Sequence, residues 1–384
     1  MKKDRIIYIF TIILSALYIF FGNKAANAHK IDYSLSNDIG VPITVKVTKV
    51  VDVNYADVVF DGFETDDEII LFEAEIQSGY RKGEIVTAIQ QIDSMYAIRQ
   101  KIVEPGDKIV IYKNQNMNAE NIRYMFAVYH RIDFIILLWV AFLVLLLILG
   151  RRNGLNTLVS LVFTILSIFY VFIPAVLNGG NIYSWSISTC IYIIFMTLLI
   201  ISGFSKKSLA AMIGCSSGVL VAGIITVLAN NICQMTGLTT EDSMYLLFLN
   251  SENPIDLRAI IFAAIILGAV GAIMDVSMSL SSSLAEMKEQ VGNMTAAQIT
   301  RSGMVVGRDI MGTMANTLIL AYIGSSLSVT LLLAAYNSST PLLLFNSEMI
   351  LVELLQAVAG SLGILLTIPL TSLVCGILYR NDEK

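Results

Sequence analysis

Three observations predict a polytopic α-helical membrane protein, with about 7–8 crossings and a small extracytoplasmic β-barrel-like domain near the N-terminus. Of 384 residues, 56% are hydrophobic and only 14% charged, whereas a soluble domain keeps roughly a quarter of its residues charged. Long charge-free runs recur along the chain. The charge imbalance is local: residues 30–131 hold 11 basic and 16 acidic groups, so the whole net charge of −5 falls there and the remaining 14 of each sign cancel. With no basic excess, nothing draws the phosphate backbone of a nucleic acid, and no nucleic-acid partner is expected.

Residues 6–22 carry no charge, follow Lys2, Lys3 and Arg5, and precede the small-x-small pattern Ala26-Asn27-Ala28. Residues 1–28 are therefore a signal peptide cleaved after Ala28 or a retained first transmembrane helix, and the pattern leaves both open. Residues 30–131 form the outer β-rich domain. Period-two stretches such as 42–47 and 108–112 are separated by turn signals at Asp61-Gly62, Ser78-Gly79, Lys82-Gly83 and Pro105-Gly106. That spacing predicts a small barrel of the oligonucleotide-fold or lipoyl-like kind, without a disulfide. The acidic run from Asp61 to Glu68 lacks the alternating ligand spacing of a calcium loop and is read as a solvated hairpin tip.

Residues 132–384 form a seven-helix transmembrane domain. Its apolar runs lie at 133–149, 155–176, 184–203, 208–231, 257–275, 309–335 and 349–378, each near the length needed to cross about 30 Å of hydrocarbon. Placing the N-terminal lysines in the cytoplasm puts Arg151, Arg152, Lys206, Lys207, Lys288, Arg301, Arg308 and Arg380 there as well. Glu241, Asp242, Glu252, Asp256 and Glu348 then fall on the opposite side, with only Arg258 near them. The β domain is expected outside and the C-terminus in the cytoplasm.

Polar groups inside lipid are costly and point to function. Asp275, Ser279, Ser282 and Glu286 recur at helical spacing and share one face, as do Asp309, Thr313 and Asn316. Gly303, Gly307 and Gly312 are expected to let the second stripe approach the first. The functional reading is an ion or proton pathway along these seven residues. The structural alternative places Asp275 and Asp309 at span ends on the water boundary, with Asp309 at a helix N-terminus paired with Arg308 or Arg301. Glu353 and Gln356 read as a snorkelling pair, Asn337 and Asn346 as loop residues, and Pro174 and Pro369 as helix kinks or ends.

No enzyme is expected. Gly214-Cys215-Ser216-Ser217-Gly218 matches a nucleophile elbow, but it sits in an apolar helix without a preceding strand. The only histidines, His29 and His130, lie outside the apolar runs. Neither a phosphate-binding Gly-x-x-x-x-Gly-Lys-Ser/Thr nor a His-Glu-x-x-His motif occurs. Cys190, Cys215, Cys233 and Cys375 lack metal or disulfide spacing. No cofactor and no metal are expected.

The stretch Gly271-Ala-Ile-Met-Asp-Val-Ser-Met-Ser-Leu-Ser-Ser-Ser-Leu-Ala-Glu286, the stretch Gly307-Arg-Asp-Ile-Met-Gly-Thr-Met-Ala-Asn-Thr-Leu-Ile-Leu-Ala-Tyr322 and the layout over nearly the whole chain resemble the YibE/F family of bacterial multi-pass membrane proteins. A chain with an outer domain resembles the YibE type. The resemblance implies a bacterial cell membrane and a shorter YibF-like membrane partner; it supplies no activity and no functional residue, and a homo-oligomer is the alternative assembly. The expected function is a permease or permease subunit for an ion or small solute, not driven by ATP within this chain. The alternative is a non-transporting envelope scaffold or sensor whose β domain binds a partner. Acid–base chemistry on a lipid headgroup ranks third, because the usual nucleophile and metal sets are missing.

Overall fold

The structure is a computed structural model that describes residues 2–28, 41–53, 68–92, 100–113, 123–249, 254–336, 342 and 346–379. It divides into two compact units, Tyr33–Leu145 and the combination of Met1–Asp32 with Leu146–Lys384. The acidic run at 61–67, His29, Glu252, Asn337 and Arg380 lie outside the described residues.

The first unit is built on β1 (Ile43–Asp52), β2 (Glu68–Ile76), β3 (Ile85–Ile92), β4 (Lys108–Lys113) and β5 (Tyr124–Tyr129), which close a barrel in the order β1-β2-β3-β5-β4. All pairings are antiparallel except β3 with β5. This is the five-stranded Greek-key plan of an oligonucleotide-fold barrel. Alternation turns Val45, Val47, Ile70, Phe72, Ile109 and Ile111 into one core, as the two-residue period of a strand requires. Gly79 and Gly83 take φ of +85° and +90° in the β2–β3 turn, where a Cβ would be penalised. Between them Arg81 forks onto Glu84 at 2.6 and 2.5 Å and donates to the Tyr124 hydroxyl at 2.7 Å. The fork ties this turn to the start of β5 and holds the Glu84 carboxyl below the usual carboxylate range.

The helices are α1 (Lys2–Ala26), α2 (Ile132–Leu166), α3 (Ile173–Leu177), α4 (Ile182–Ser202), α5 (Lys206–Ile232), α6 (Glu241–Phe248), α7 (Leu257–Val291), α8 (Ala296–Ser325), α9 (Leu327–Tyr336) and α10 (Glu348–Leu378). A π-helical turn, Ser167–Phe172, joins α2 to α3. Among the described residues six helical runs are long and apolar enough to cross a membrane: Ile6–Ala26, Ile132–Leu177, Ile182–Ser202, Lys206–Ile232, Leu257–Val291 and Glu348–Leu378.

The second of these contains both expected runs at 133–149 and 155–176. Arg151, at φ 46° and ψ −119°, breaks it, a conformation rare outside glycine. Gly154 packs against the Leu146 carbonyl, which an unbroken helix would hold about 12 Å away, so the chain bends sharply there. The expected run at 309–335 is instead shared between α8 and α9, which meet at Ser326. Arg308, Asp309, Thr313 and Asn316 lower the hydropathy of α8.

Helix α1 packs into the bundle. Tyr18 stacks on Tyr192 with ring centroids 3.9 Å apart, Asn23 donates to the Tyr170 carbonyl at 2.7 Å, and Asn178 donates to the Ala26 carbonyl at 2.9 Å.

The bundle is organised around α10. Gly214, Gly218 and Ala222 of α5 face Thr371, Thr367 and Gly363, while Gly303 and Gly307 of α8 face Ser372 and Ile368. Both sets run in opposite directions along the two partners, so α5 and α8 are antiparallel to α10. Helix α7 runs parallel to it: Ile273 packs on Gly363, Thr371 Oγ1 lies 3.4 Å from Ser277 Oγ, and Tyr379 donates to the Ser281 carbonyl at 3.1 Å. Lipid gives helices no hydrophobic reason to associate, so close backbone approach and interhelical hydrogen bonds carry the packing. Gly214-Cys-Ser-Ser-Gly218 is thus a packing face of α5.

A Cβ at Gly218 would overlap Thr367, whereas one at Gly324 would meet nothing within 4 Å. Gly218→Val is expected to lower stability by about 1–3 kcal/mol, the usual cost of overpacking, and Gly324→Ala to leave it unchanged. Thermal unfolding of the purified protein in detergent measures both.

Candidate functional site

Helix α7 sorts its serine-rich stretch by direction. Ser277 and Ser281 are fully buried and face α10, while Asp275, Ser279 and Glu286 are exposed and Ser282 is half-buried. The four residues expected to share a face therefore do so, and that face is directed away from the bundle core. Ser283 lies beside it and donates to the Ser279 carbonyl at 2.9 Å; Glu286 accepts from Gln290 at 3.3 Å. On α8, Asp309, Thr313 and Asn316 are likewise exposed, and Thr313 donates back to the Ile310 carbonyl at 2.9 Å.

The expected span ends do not coincide with helix ends. About 24 Å of helix follows Asp275 and about 20 Å precedes Asp309, because α7 continues to Val291 and α8 begins at Ala296. Asp309 is thus not at a helix N-terminus, and no ion pair joins it to Arg308 or Arg301 among the described residues. Ile273 packs on Gly218, which stands about 18 Å along α5 from Lys206; Asp275 follows about 15 Å from the Lys206 level.

Helix α10 acts as a common ruler. Ile273 against Gly363 and Ser277 against Thr371 put Asp275 level with about Thr367, and Gly307 against Ile368 puts Asp309 within about one turn of that level. The two carboxylates share a depth on neighbouring helices, yet neither has a hydrogen-bond or ion-pair partner among the described residues. The glycine expectation needs correction. Gly303 and Gly307 bring α8 chiefly against α10, and Gly312 meets nothing within 4 Å. Gly312 follows Gly307 by five positions, which turns it onto another face.

The sequence reading missed Tyr322. Its hydroxyl lies against Gly268 of α7 and has no hydrogen-bond partner among the described residues. Beside it a cavity of about 60 Å³ is lined by Ser326, Thr330 and Glu353. Glu353 thus shares this cavity with Tyr322. Tyr322 had only its place in the second motif to mark it, since a tyrosine in an apolar run is commonplace.

Larger cavities lie elsewhere: one of about 610 Å³ beside Asn178, Gly180 and Asp256, and an apolar groove of about 300 Å³ between Tyr183, Leu220 and Phe262. Among the described residues no three His, Cys, Asp or Glu side chains cluster to hold a metal. Cys190, Cys215 and Cys375 are buried free thiols, and Cys233 is exposed.

Apolar helices of membrane-crossing length bearing carboxylates in mid-helix define a membrane protein. The chain belongs to the YibE/F-like protein family, which matches residues 138–381. The match begins within α2, so the barrel lies outside it. No curated protein and no solved structure matches the chain.

The inward and outward serines should respond differently to a bulky apolar group. Ser277→Leu is expected to cost about 1–3 kcal/mol by overpacking the α7–α10 contact. Ser279→Leu should leave the melting temperature unchanged. Thermal unfolding of the two variants decides it.

Proposed function

We propose that the protein is a permease, or the membrane subunit of one, for a small ion or solute, and that the α7–α8 strip is the wall of its path. The supporting observation is the pair Asp275 and Asp309: two carboxylates without partners among the described residues, at about one depth on neighbouring helices and well inside both of them. Carboxylates held in such a place are expensive unless they serve a moving cation or proton. The chain has no nucleotide-binding motif, so the driving force is an ion gradient or a partner. The Lys and Arg asymmetry supports a barrel outside a bacterial cell membrane and a C-terminus in the cytoplasm. The packing of Tyr18, Asn23 and Ala26 favours α1 as a retained first helix, which makes eight crossings when the α2–α3 run counts as two and α8–α9 as one. On the outer side the barrel gathers substrate or docks a partner, and the assembly is completed by a YibF-like protein or by a second copy.

A scaffold or sensor is the second reading. Its support is that the strip is exposed on the single chain and that, among the described residues, neither the cavity beside Asn178 nor the groove beside Leu220 touches it. Proteoliposomes decide between the two: flux of protons, alkali cations or small anions is expected with the wild-type chain. Asp275→Asn or Asp309→Asn should reduce that flux roughly tenfold or more, a barrier change of about 1.4 kcal/mol. Unchanged flux in both variants removes the strip as a path, and no flux across the panel favours the scaffold.

A further inference from the structure

The outward faces of the other apolar helices carry what lipid accepts. Helix α5 presents Leu220, Ile224 and Leu228. Helix α7 does the opposite along its length, exposing Gly271, Asp275, Ser279, Ser283 and Glu286. Helix α8 buries only Ile299, Gly303 and Gly307 and leaves its far side open. Acyl chains can neither solvate a carboxylate nor fill the surface of a bare glycine.

We propose that this face is an interface at which a second copy of the same chain packs. Its charges favour a copy over a foreign partner. Among the described residues Asp275 and Asp309 are unpaired, and so are Arg301 and Arg308 on the same exposed side of α8. A face carrying both signs, unsatisfied within its own chain, is self-complementary, as a two-fold contact between identical surfaces requires. Depth agrees. Arg308 follows Gly307, which meets Ile368, so Arg308 and Asp275 lie within about one turn of the same level on α10. A two-fold axis along the bundle leaves depth unchanged and brings Arg308 of one copy to the level of Asp275 of the other.

The glycines point the same way. Gly214, Gly218, Gly303 and Gly307 each meet a helix of their own chain, whereas Gly271 and Gly312 meet nothing within 4 Å, which leaves room for a foreign backbone. From Ala264 to Gln290 the α7 face is about 40 Å long; with α8 beside it, at about 10 Å of width per helix, it offers on the order of 800 Å² per copy, the usual share of a stable interface. The interface does not depend on the transport reading, since a chain that carries no solute must still cover these charges.

The test is disulfide cross-linking of single cysteines in membranes, in a Cys233→Ser background that removes the exposed native thiol, together with the mass of the purified chain in lipid nanodiscs. Ser279→Cys and Gly312→Cys are expected to give a cross-linked species of twice the 42.1 kDa chain mass. Leu228→Cys, on the outward side of α5, is the control and should give none. Asp275→Arg should abolish the dimer and Asp275→Arg with Arg308→Asp should restore it. A monomer in nanodiscs, a dimer that cross-links through position 228 instead, or adducts solely to another membrane protein would each overturn the proposal. Dimerisation without solute flux would uphold it while removing the permease reading.

Discussion

The bundle depends on the close approach of three helices to α10. Gly214 and Gly218 let Thr371 and Thr367 sit directly on the backbone of α5, and Gly303 and Gly307 do the same for α8. Because lipid offers no hydrophobic gain for helix association, these contacts and the Ser277, Ser281, Thr371 and Tyr379 hydrogen bonds fix which face of each helix turns inward. Once Ser277 and Ser281 are committed to α10, helical geometry leaves Asp275, Ser279, Ser282 and Glu286 no choice but the opposite side. The polar strip is thus a consequence of how α10 is packed.

The same constraint makes α8 an edge helix. One narrow glycine seam docks it, and the remainder of its surface turns Arg308, Asp309, Thr313 and Asn316 outward. Such a helix is too polar to rest in hydrocarbon by itself, yet its partner α10 is apolar enough to cross a membrane. The polar side of α8 and the polar side of α7 therefore belong to one problem: both need water, solute or protein against them. The barrel obeys different physics, with an alternating apolar core and a turn locked by Arg81.

Much of this was legible in the residues. Period-two alternation marked β1 and β4, and helical spacing identified the seven strip residues and the two faces they occupy. Strand β5 escaped because its pattern is weak and it pairs in parallel with β3, far away in sequence. The ends of α7 and α8 were misjudged because hydropathy stops where serine, glutamate and arginine begin, although packing on α10 carries both helices on. Glycine spacing announces close contact without naming the partner: Gly307 serves α10, and Gly303 serves α10 first and Leu284 of α7 beside it. Tyr322 carried no signal that distinguishes it from an ordinary apolar tyrosine.

Whether water reaches the α7–α8 strip, as a path along it requires even where a second copy packs beside it, is measured by the reaction of a membrane-impermeant, water-soluble thiol reagent with single cysteines in the Cys233→Ser background. Cysteine at 275, 282 or 316 is expected to react in intact membranes at a rate well above that of cysteine at 220 or 224 on the outward apolar side of α5. Equal and negligible labelling at all five positions would contradict a wetted polar strip.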